Sequence, residues 1–574
     1  MTHPKTDRSL LAHRSLLTVA LLIATAALAY HNSFGGPFVL DDIMGVRDNP
    51  TIHSLWPLWG PLAPIPGGLT VSGRPILNLS FAINYAISGT DVWSYHAANL
   101  LIHLLAGLAL LGIVRRTLER LAYPHAASLA AIVALAWVAH PLQTESVTYV
   151  VQRAESLMGL LYLCTLYAVV RGAQSPRPWR WYAAGIAACA LGMGVKEVMV
   201  TAPLVVLLYD RAFLAGSFAG AWRARRAFYC ALAATWLPLA WLVALTGNRD
   251  GSAGFGVGLP WWQYAANQFE AVTRYLWLAV WPRPLVFDYG AITAPGIGHV
   301  LPYALFVLAL LAVTVVGLVR NRAWAFLGAC FFLILAPTTS ILPNDRQTFA
   351  EHRMYLPLAA VVTALVLALF ALLKRRERVV LGMGAVWIAA LCWGTVLRND
   401  DYRSDELLYA GVVAHYPDSA YGQFGYAMAL LERGENGQAL AHLDSAVRLK
   451  PDEKSFRINR AYALLRLNRP AEAAREYEAG FRLGPVTEDV QLGYAAALVA
   501  AGRTAQGLQF FADYGRAHQQ DAAGQFTVGQ LLVEVGRPAE AIPYLERARS
   551  LAPDATNVTA AIEHARQAAA AAGR

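Results

Sequence analysis

The chain is poor in charge. Asp, Glu, Lys and Arg make up 15% of its 574 residues, while 56% are hydrophobic and the mean hydropathy is +0.39. A water-soluble domain does not ordinarily reach that balance. Cysteine is scarce too, and its placement excludes the chemistry it usually carries. Cys164, Cys189, Cys230, Cys330 and Cys392 all lie inside apolar runs and none is spaced as a zinc pair. They read as small buried hydrophobes, with no disulfide framework and no metal implied. The sequence lacks a phosphate-cradling Gly-rich loop, a dinucleotide fingerprint, a D-x-D pair in a strand context and a Gly-x-Ser-x-Gly elbow. No inverted pair of broken helices marks a transporter. The net charge of +9 comes without a basic face interleaved with stacking aromatics, so nucleic acid is not a partner.

What is present divides in two. Residues 1–400 carry repeated apolar runs of about 18–20 residues, the length that crosses a hydrocarbon core. Residues 401–574 are Ala-, Glu- and Arg-rich soluble sequence. The apolar runs fall at 16–32, 97–114, 126–140, 155–171, 181–195, 199–214, 228–246, 301–319, 323–342, 355–373 and 379–397, about eleven spans. Segment 262–281 carries Glu270 and Arg274 and reads as a crossing, a re-entrant or an interfacial helix. The first run ends in Ala26-Ala27-Leu28-Ala29, a signal-peptidase-like site, and is read as an uncleaved anchor.

Basic clusters orient the spans. Arg115-Arg116 with Arg120, Arg177 with Arg180, Arg223 with Arg225-Arg226, Arg320 with Arg322, and Lys374-Arg375-Arg376 with Arg378 belong on the cytoplasmic side. They share that side if 262–281 does not cross. Loops 33–96, 141–154, 196–198, 247–300 and 343–354, and the C-terminal part, then face away from the cytoplasm. The Ala-rich composition suggests a bacterium, its inner membrane and a periplasmic C-terminal domain.

The C-terminal part repeats. Blocks 420–453, 454–487, 488–521 and 522–555 follow without a gap. Small residues stand at position 8 (Ala427, Ala461, Ala495, Gly529) and position 20 (Ala439, Ala473, Gly507, Ala541). Large ones stand at position 24 (Leu443, Tyr477, Phe511, Leu545). This is the tetratricopeptide pattern at its 34-residue period. Segment 401–419 reads as a linker or partial repeat, and 556–574 as a capping helix and tail.

The polar residues of the outer loops are the candidates for chemistry. Asp41-Asp42 lies just beyond the first span. Adjacent carboxylates there can serve as a general base with a supporting partner; taken alone, the pair better suits a helix cap beside a solvated neighbour. His96 opens the second span. His140 and Glu145 flank a turn, followed by Arg153 and Glu155, and their spacing does not suit zinc. Arg74, Lys196-Glu197, Glu351 and Arg353 complete the set. Arg and Lys are suited to phosphate, and equally to snorkelling at an interface. Ionisable groups near membrane depth cost about 2.5–3.5 kcal/mol each by insertion scales, which favours a functional role.

In order along the chain, Phe38–Asp42 with Asn49-Pro50, Gly73-Arg74-Pro75-Ile76, Tyr95-His96 through His103-Leu104-Leu105, His140–Glu145 with Arg153-Ala154-Glu155, Lys196-Glu197, and Arg353-Met354-Tyr355-Leu356-Pro357 resemble the transmembrane and tetratricopeptide-repeat O-mannosyltransferases, the TMTC type. The resemblance covers nearly the whole chain. It implies an all-α protein: a polytopic GT-C-like membrane helix bundle over 1–400, with an outer catalytic loop at 33–96, followed by a tetratricopeptide α-solenoid over 420–555.

The resemblance also implies a polyprenyl-phosphate sugar as donor and no cofactor. Asp41 or Asp42 would be the base toward an acceptor hydroxyl, the deeper Asp42 being the preferred one. Arg74, Arg153, Lys196 and Arg353 would hold the donor phosphate, with His96, His140, Glu145, Glu155, Glu197 and Glu351 in support. Transfer would be inverting, to Ser or Thr of a protein gripped by the repeats. The sequence departs from the pattern at Leu142-Gln143 and Gln152, and has four repeats where the family often has more, so mannose itself stays open. Two other readings stand beside this one: a non-catalytic membrane-anchored repeat scaffold, and a glycan ligase working through loop 247–300.

Overall fold

Long runs of Ala, Leu and Val leave a backbone in lipid no partner but itself, and helices result. The structure, a computed structural model, describes residues 5–63, 70–246, 260–290, 296–339 and 348–572, with side chains from residue 15. Among the described residues there are helices and no strands. The chain forms two compact units, Met1–Gly411 and Val412–Arg574.

In the first unit a helix occupies each of the eleven apolar runs. Among the described residues, length and composition alone qualify five as spans: Trp93–Arg120, Val150–Gly172, Phe218–Thr246, Ile297–Val319 and Glu377–Asp401. A sixth is added if Ala126–Val138 and Pro141–Val147, bent by 53°, count as one. Shorter apolar helices, Ser15–Tyr30, Ala325–Leu335 and Pro357–Leu372, lie in three more of the eleven runs, and two runs are interrupted locally. His140-Pro141 breaks one run because proline removes an N–H and clashes with the preceding turn. A 3₁₀ turn at Glu197–Thr201 and a π turn at Asp210–Leu214 flank the eight-residue helix Ala202–Tyr209. Segment 262–281 forms the helix Trp261–Val280. It buries Tyr264, Gln268 and Tyr275 and exposes Trp261, Trp262 and Trp277, and it is not among the helices that qualify as spans.

Interactions gather the basic turns at one end of this unit. Arg116 Nη1 donates to Gln174 Oε1 at 2.9 Å, and Arg120 Nε donates to the Phe213 carbonyl. Arg375 lies over the Tyr123 ring, and His125 pairs with Glu377 at 2.7 Å. The polar loops meet at the other end, where Thr148 Oγ1 donates to Asn399 Oδ1 at 2.7 Å and Asn399 Nδ2 to Asn32 Oδ1 at 2.8 Å.

In the second unit the four blocks fold as helix pairs, from Ala420–Glu432 and Asn436–Leu449 to Ala522–Glu534 and Pro538–Leu551, followed by Thr556–Ala572. The small positions are small because helices touch there. A Cβ on Gly507 would lie 2.6 Å from the Ala495 carbonyl oxygen, and one on Gly529 would lie 2.5 Å from Leu545. Leu443, Tyr477, Phe511 and Leu545 are buried between the helices.

Candidate functional site

Three turns at the end opposite the basic clusters carry the charges, and the backbone brings two of them together. In Gly73-Arg74-Pro75, Gly73 adopts φ +70°, which only glycine takes freely. Its missing Cβ leaves room for Thr246, whose Cγ2 would otherwise lie 2.8 Å away. Pro75 then opens the helix Pro75–Ser88 at its first position. The next N–H, of Ile76, donates to the Gly194 carbonyl at 3.0 Å. That bond sets the Arg74 turn beside the Lys196-Glu197 turn. The third turn, Glu351–Met354, precedes the helix Pro357–Leu372, which also starts on proline.

Four ion pairs and one hub result. Arg74 Nη1 donates to the Thr70 carbonyl at 2.7 Å, and Nη2 to Glu197 Oε2 at 3.2 Å. Lys196 Nζ meets Glu155 Oε1 at 2.7 Å, both side chains buried. His352 Nδ1 meets Glu145 Oε1 at 2.7 Å, and the His352 backbone N–H donates to the other oxygen at 2.8 Å. His352 Nε2 lies 4.0 Å from Glu155. Arg74 and Arg353 both lie within reach of the Glu155 charge, so Glu155 is shared among Lys196, His352, Arg74 and Arg353. Burial lowers the Arg74 guanidinium to about 10, with Glu155 opposing the shift. Arg398 pairs with Glu351 at 3.3 Å, and Glu351 Oε1 also accepts from Val286 N–H and Tyr289 O–H, each at 2.7 Å. Burial pushes the Glu351 carboxyl up to about 7, Arg398 opposing it.

The two aspartates differ in kind. Asp42 is fully buried. Its Oδ1 accepts from Val151 N–H at 2.6 Å and its Oδ2 from Val39 N–H at 3.2 Å. Burial holds its carboxyl well above the usual range, although those two donors pull it down. Asp41 is exposed. Its backbone N–H donates to the Tyr149 hydroxyl at 2.9 Å, and its Oδ2 accepts from Thr70 Oγ1 at 3.2 Å. Thr70 therefore touches both Asp41 and Arg74 and links the accessible carboxylate to the charged cluster.

Other predicted residues sit elsewhere. Arg153 is buried with Nε on Asn99 Oδ1 at 2.5 Å, Nη1 on Asn84 Oδ1 at 2.7 Å and on the Ser80 carbonyl at 3.1 Å, and Nη2 on the Tyr95 carbonyl at 3.1 Å. The Phe81 ring lies 4.5 Å from its guanidinium carbon. All three nitrogens are engaged by neutral acceptors, which makes Arg153 a clamp between helices. His96 Nε2 meets the Gly36 carbonyl at 2.9 Å. His140 Nδ1 accepts from Leu142 N–H while Nε2 faces the Ala279 carbonyl at 3.1 Å. Both histidines bind backbone. His352, Thr70 and Arg398 escaped the sequence reading; the Glu351-His352-Arg353 run was the one available signal for His352. Among the described residues no three His, Cys, Asp or Glu gather as a metal site.

Human protein O-mannosyl-transferase TMTC1 is 25% identical over 499 residues, 76% of this chain and 55% of that protein. The resemblance is to the TMTC-type protein O-mannosyl-transferases. The fruit-fly (Drosophila melanogaster) protein O-mannosyl-transferase Tmtc2 is 33% identical over 34% of this chain and 22% of its own, and mouse (Mus musculus) TMTC2 is 32% identical over 33% and 24%. The chain spans about half the length of human TMTC1. The tetratricopeptide-repeat family profile matches residues 397–454 and 458–522. The solved repeat protein YrrB, described as having an unusual peptide-binding site, is 17% identical and covers 27% of this chain and 81% of its own at a TM-score of 0.23.

Proposed function

We propose that the chain is a GT-C-type glycosyltransferase of the non-cytoplasmic membrane face. It moves a hexose, mannose-like, from a polyprenyl phosphate to Ser or Thr hydroxyls of a protein, and the repeats bind that acceptor. The observation that carries the reading is the link from an exposed carboxylate, Asp41, through Thr70 to a cluster of buried cations. Asp41, rather than the enclosed Asp42, takes the proton from the acceptor hydroxyl. The hydroxyl oxygen bonds to the anomeric carbon as the bond from that carbon to the phosphate oxygen breaks, with inversion. The electron pair leaves on the lipid phosphate, where Arg74, Lys196 and Arg353 neutralise it.

An apolar cavity of about 700 Å³ supports a lipid donor. Tyr162, Leu166, Phe326, Leu356 and Leu367 are among its walls. Tyr162 stands seven residues below Glu155 on one helix, about 10 Å along its axis. A cationic head site above an apolar chamber suits a phosphate on an isoprenoid tail.

The test uses full-length protein in nanodiscs, a polyprenyl-phosphate hexose and a Ser/Thr peptide, with product read by mass spectrometry. Hexose on the hydroxyl, absent from Asp41→Asn, is the expected result. No transfer by wild type from any polyprenyl-phosphate hexose, together with loss of a partner complex when the chain is deleted from cells, would favour the scaffold.

A further inference from the structure

We propose that Glu197 is a resident counter-ion for Arg74, displaced when the donor's phosphate arrives. The inference rests on Arg74 belonging to the donor-phosphate site. It starts from the geometry of the guanidinium. The Arg74 side chain is 6% exposed. A cation buried that far strands its charge unless an anion stays beside it; Glu155 acts on it at longer range, and Glu197 is the carboxylate that hydrogen-bonds it.

Glu197 uses the site incompletely. It takes Nη2 at 3.2 Å, while Nε, on the same edge of the guanidinium, is buried with no hydrogen-bond partner among the described residues. That edge offers two parallel donors, the fork that phosphate oxygens fill in bidentate contacts. A phosphate can occupy both Nε and Nη2; Glu197 as placed fills only half.

Glu197 is also the carboxylate able to move. The side chains of Glu155 and Glu351 are 3% and 0% exposed, and Glu145 is 2% exposed. Drawing any of these off its cation leaves a buried charge without hydration. The Glu197 side chain is 34% exposed, so it recovers water on turning outward. Lys196, the preceding residue, keeps Glu155. The crossed pairing of Lys196 and Glu197 thus joins a fixed ion pair to an exchangeable one.

The probe is undecaprenyl monophosphate, with undecaprenol as the phosphate-free control, titrated onto full-length protein in phosphatidylcholine nanodiscs and read by native mass spectrometry. Glu197→Gln removes the competing charge and is expected to tighten phosphate binding about three- to tenfold, the range of a partly exposed ion pair of roughly 1 kcal/mol. Glu197→Asp, one methylene short, shifts affinity the same way by less, and serves if the glutamine variant fails to fold. Arg74→Gln loses the phosphate-dependent binding, and undecaprenol binds all forms alike. If Arg74→Gln weakens binding while neither Glu197 variant tightens it, the counter-ion role is overturned and the donor site stands. If Arg74→Gln leaves phosphate binding unchanged, the donor site fails and the counter-ion role with it.

Discussion

Replacing the two adjacent aspartates one at a time separates a base from a brace. Asp41 is exposed and bonded through its side chain to Thr70. Asn in its place keeps the shape and an acceptor oxygen but cannot take a proton. A positioned general base contributes about 10²–10⁴ in rate, so Asp41→Asn is expected to lower hexose transfer by that factor. An exposed substitution of this kind changes stability by no more than about 0.5 kcal/mol. Asp42 accepts a backbone N–H on each oxygen. In Asp42→Asn one of those N–H groups faces an amide NH₂ and is left unsatisfied, a cost of about 1–3 kcal/mol. Removing the buried charge returns part of it, so the expected net loss is about 1–2 kcal/mol, with transfer reduced only as far as the loop from Val39 to Val151 loosens. The assay is paired: transfer to a Ser/Thr peptide, and thermal unfolding in the same nanodiscs. An Asp42→Asn protein that melts like wild type and transfers nothing, beside an Asp41→Asn protein of full activity, refutes the assignment.

Glu351 gives a pH signature. Its carboxyl stands at about 7 in the fold against 4.5 ordinarily. A raised acid contributes stability that is complete below 4.5 and lost as pH climbs through 7. The advantage of wild type over Glu351→Gln is therefore expected to shrink between pH 4 and pH 8; an advantage that grows with pH contradicts the assignment. Arg153→Lys keeps the charge but cannot reproduce the planar fork, and is expected to destabilise the first unit by about 2–3 kcal/mol, leaving the apparent KM for the lipid donor unchanged in whatever protein folds; a raised KM would return Arg153 to the phosphate site. In the repeats, Gly507→Ala forces a Cβ against the Ala495 carbonyl and is expected to cost about 1–3 kcal/mol. At Gly437, where nothing lies within 4 Å, alanine is expected to add about 0.5–1 kcal/mol. Chemical denaturation checks both, and equal effects would contradict the packing.

The sequence exposes some levels of this structure and hides others for physical reasons. Helices were legible because apolar length and the 34-residue period are local properties. Even glycine rather than alanine at Gly507 has a local cause, a carbonyl where a side chain would stand. Breaks within the apolar runs were less legible: proline at 141 and the tight turns around Ala202–Tyr209 shorten helices that hydropathy alone runs together. Depth in a loop was illegible. Asp42 follows Asp41 by one residue, yet one carboxylate is enclosed by backbone N–H groups and the other is open, because Leu40 takes φ +50° and turns the chain between Val39 and the pair. His352 was hidden because its partners, Glu145 and Glu155, lie about two hundred residues away in the chain.

The arginines show what residue type alone leaves undistinguished among the cations. Arg74 and Arg153 are both buried, both charged and both close to the polar loops. They differ in what faces them. Arg153 spends its donors on two amide oxygens and two carbonyls, none of which can leave without unmaking a helix contact. An arriving phosphate would have to break that set and would find the guanidinium already under the Phe81 ring. Arg74 faces a carboxylate that is one-third exposed and leaves one donor unused. A buried cation meant to receive an anion needs a removable one in its absence, since the alternative is a bare charge in low dielectric. A cation meant to hold backbone needs fixed neutral acceptors. On the proposed function, the partner's own freedom to leave, more than the cation's position, therefore sets Arg74 apart as the cation able to take a phosphate and Arg153 as one committed to helix contacts.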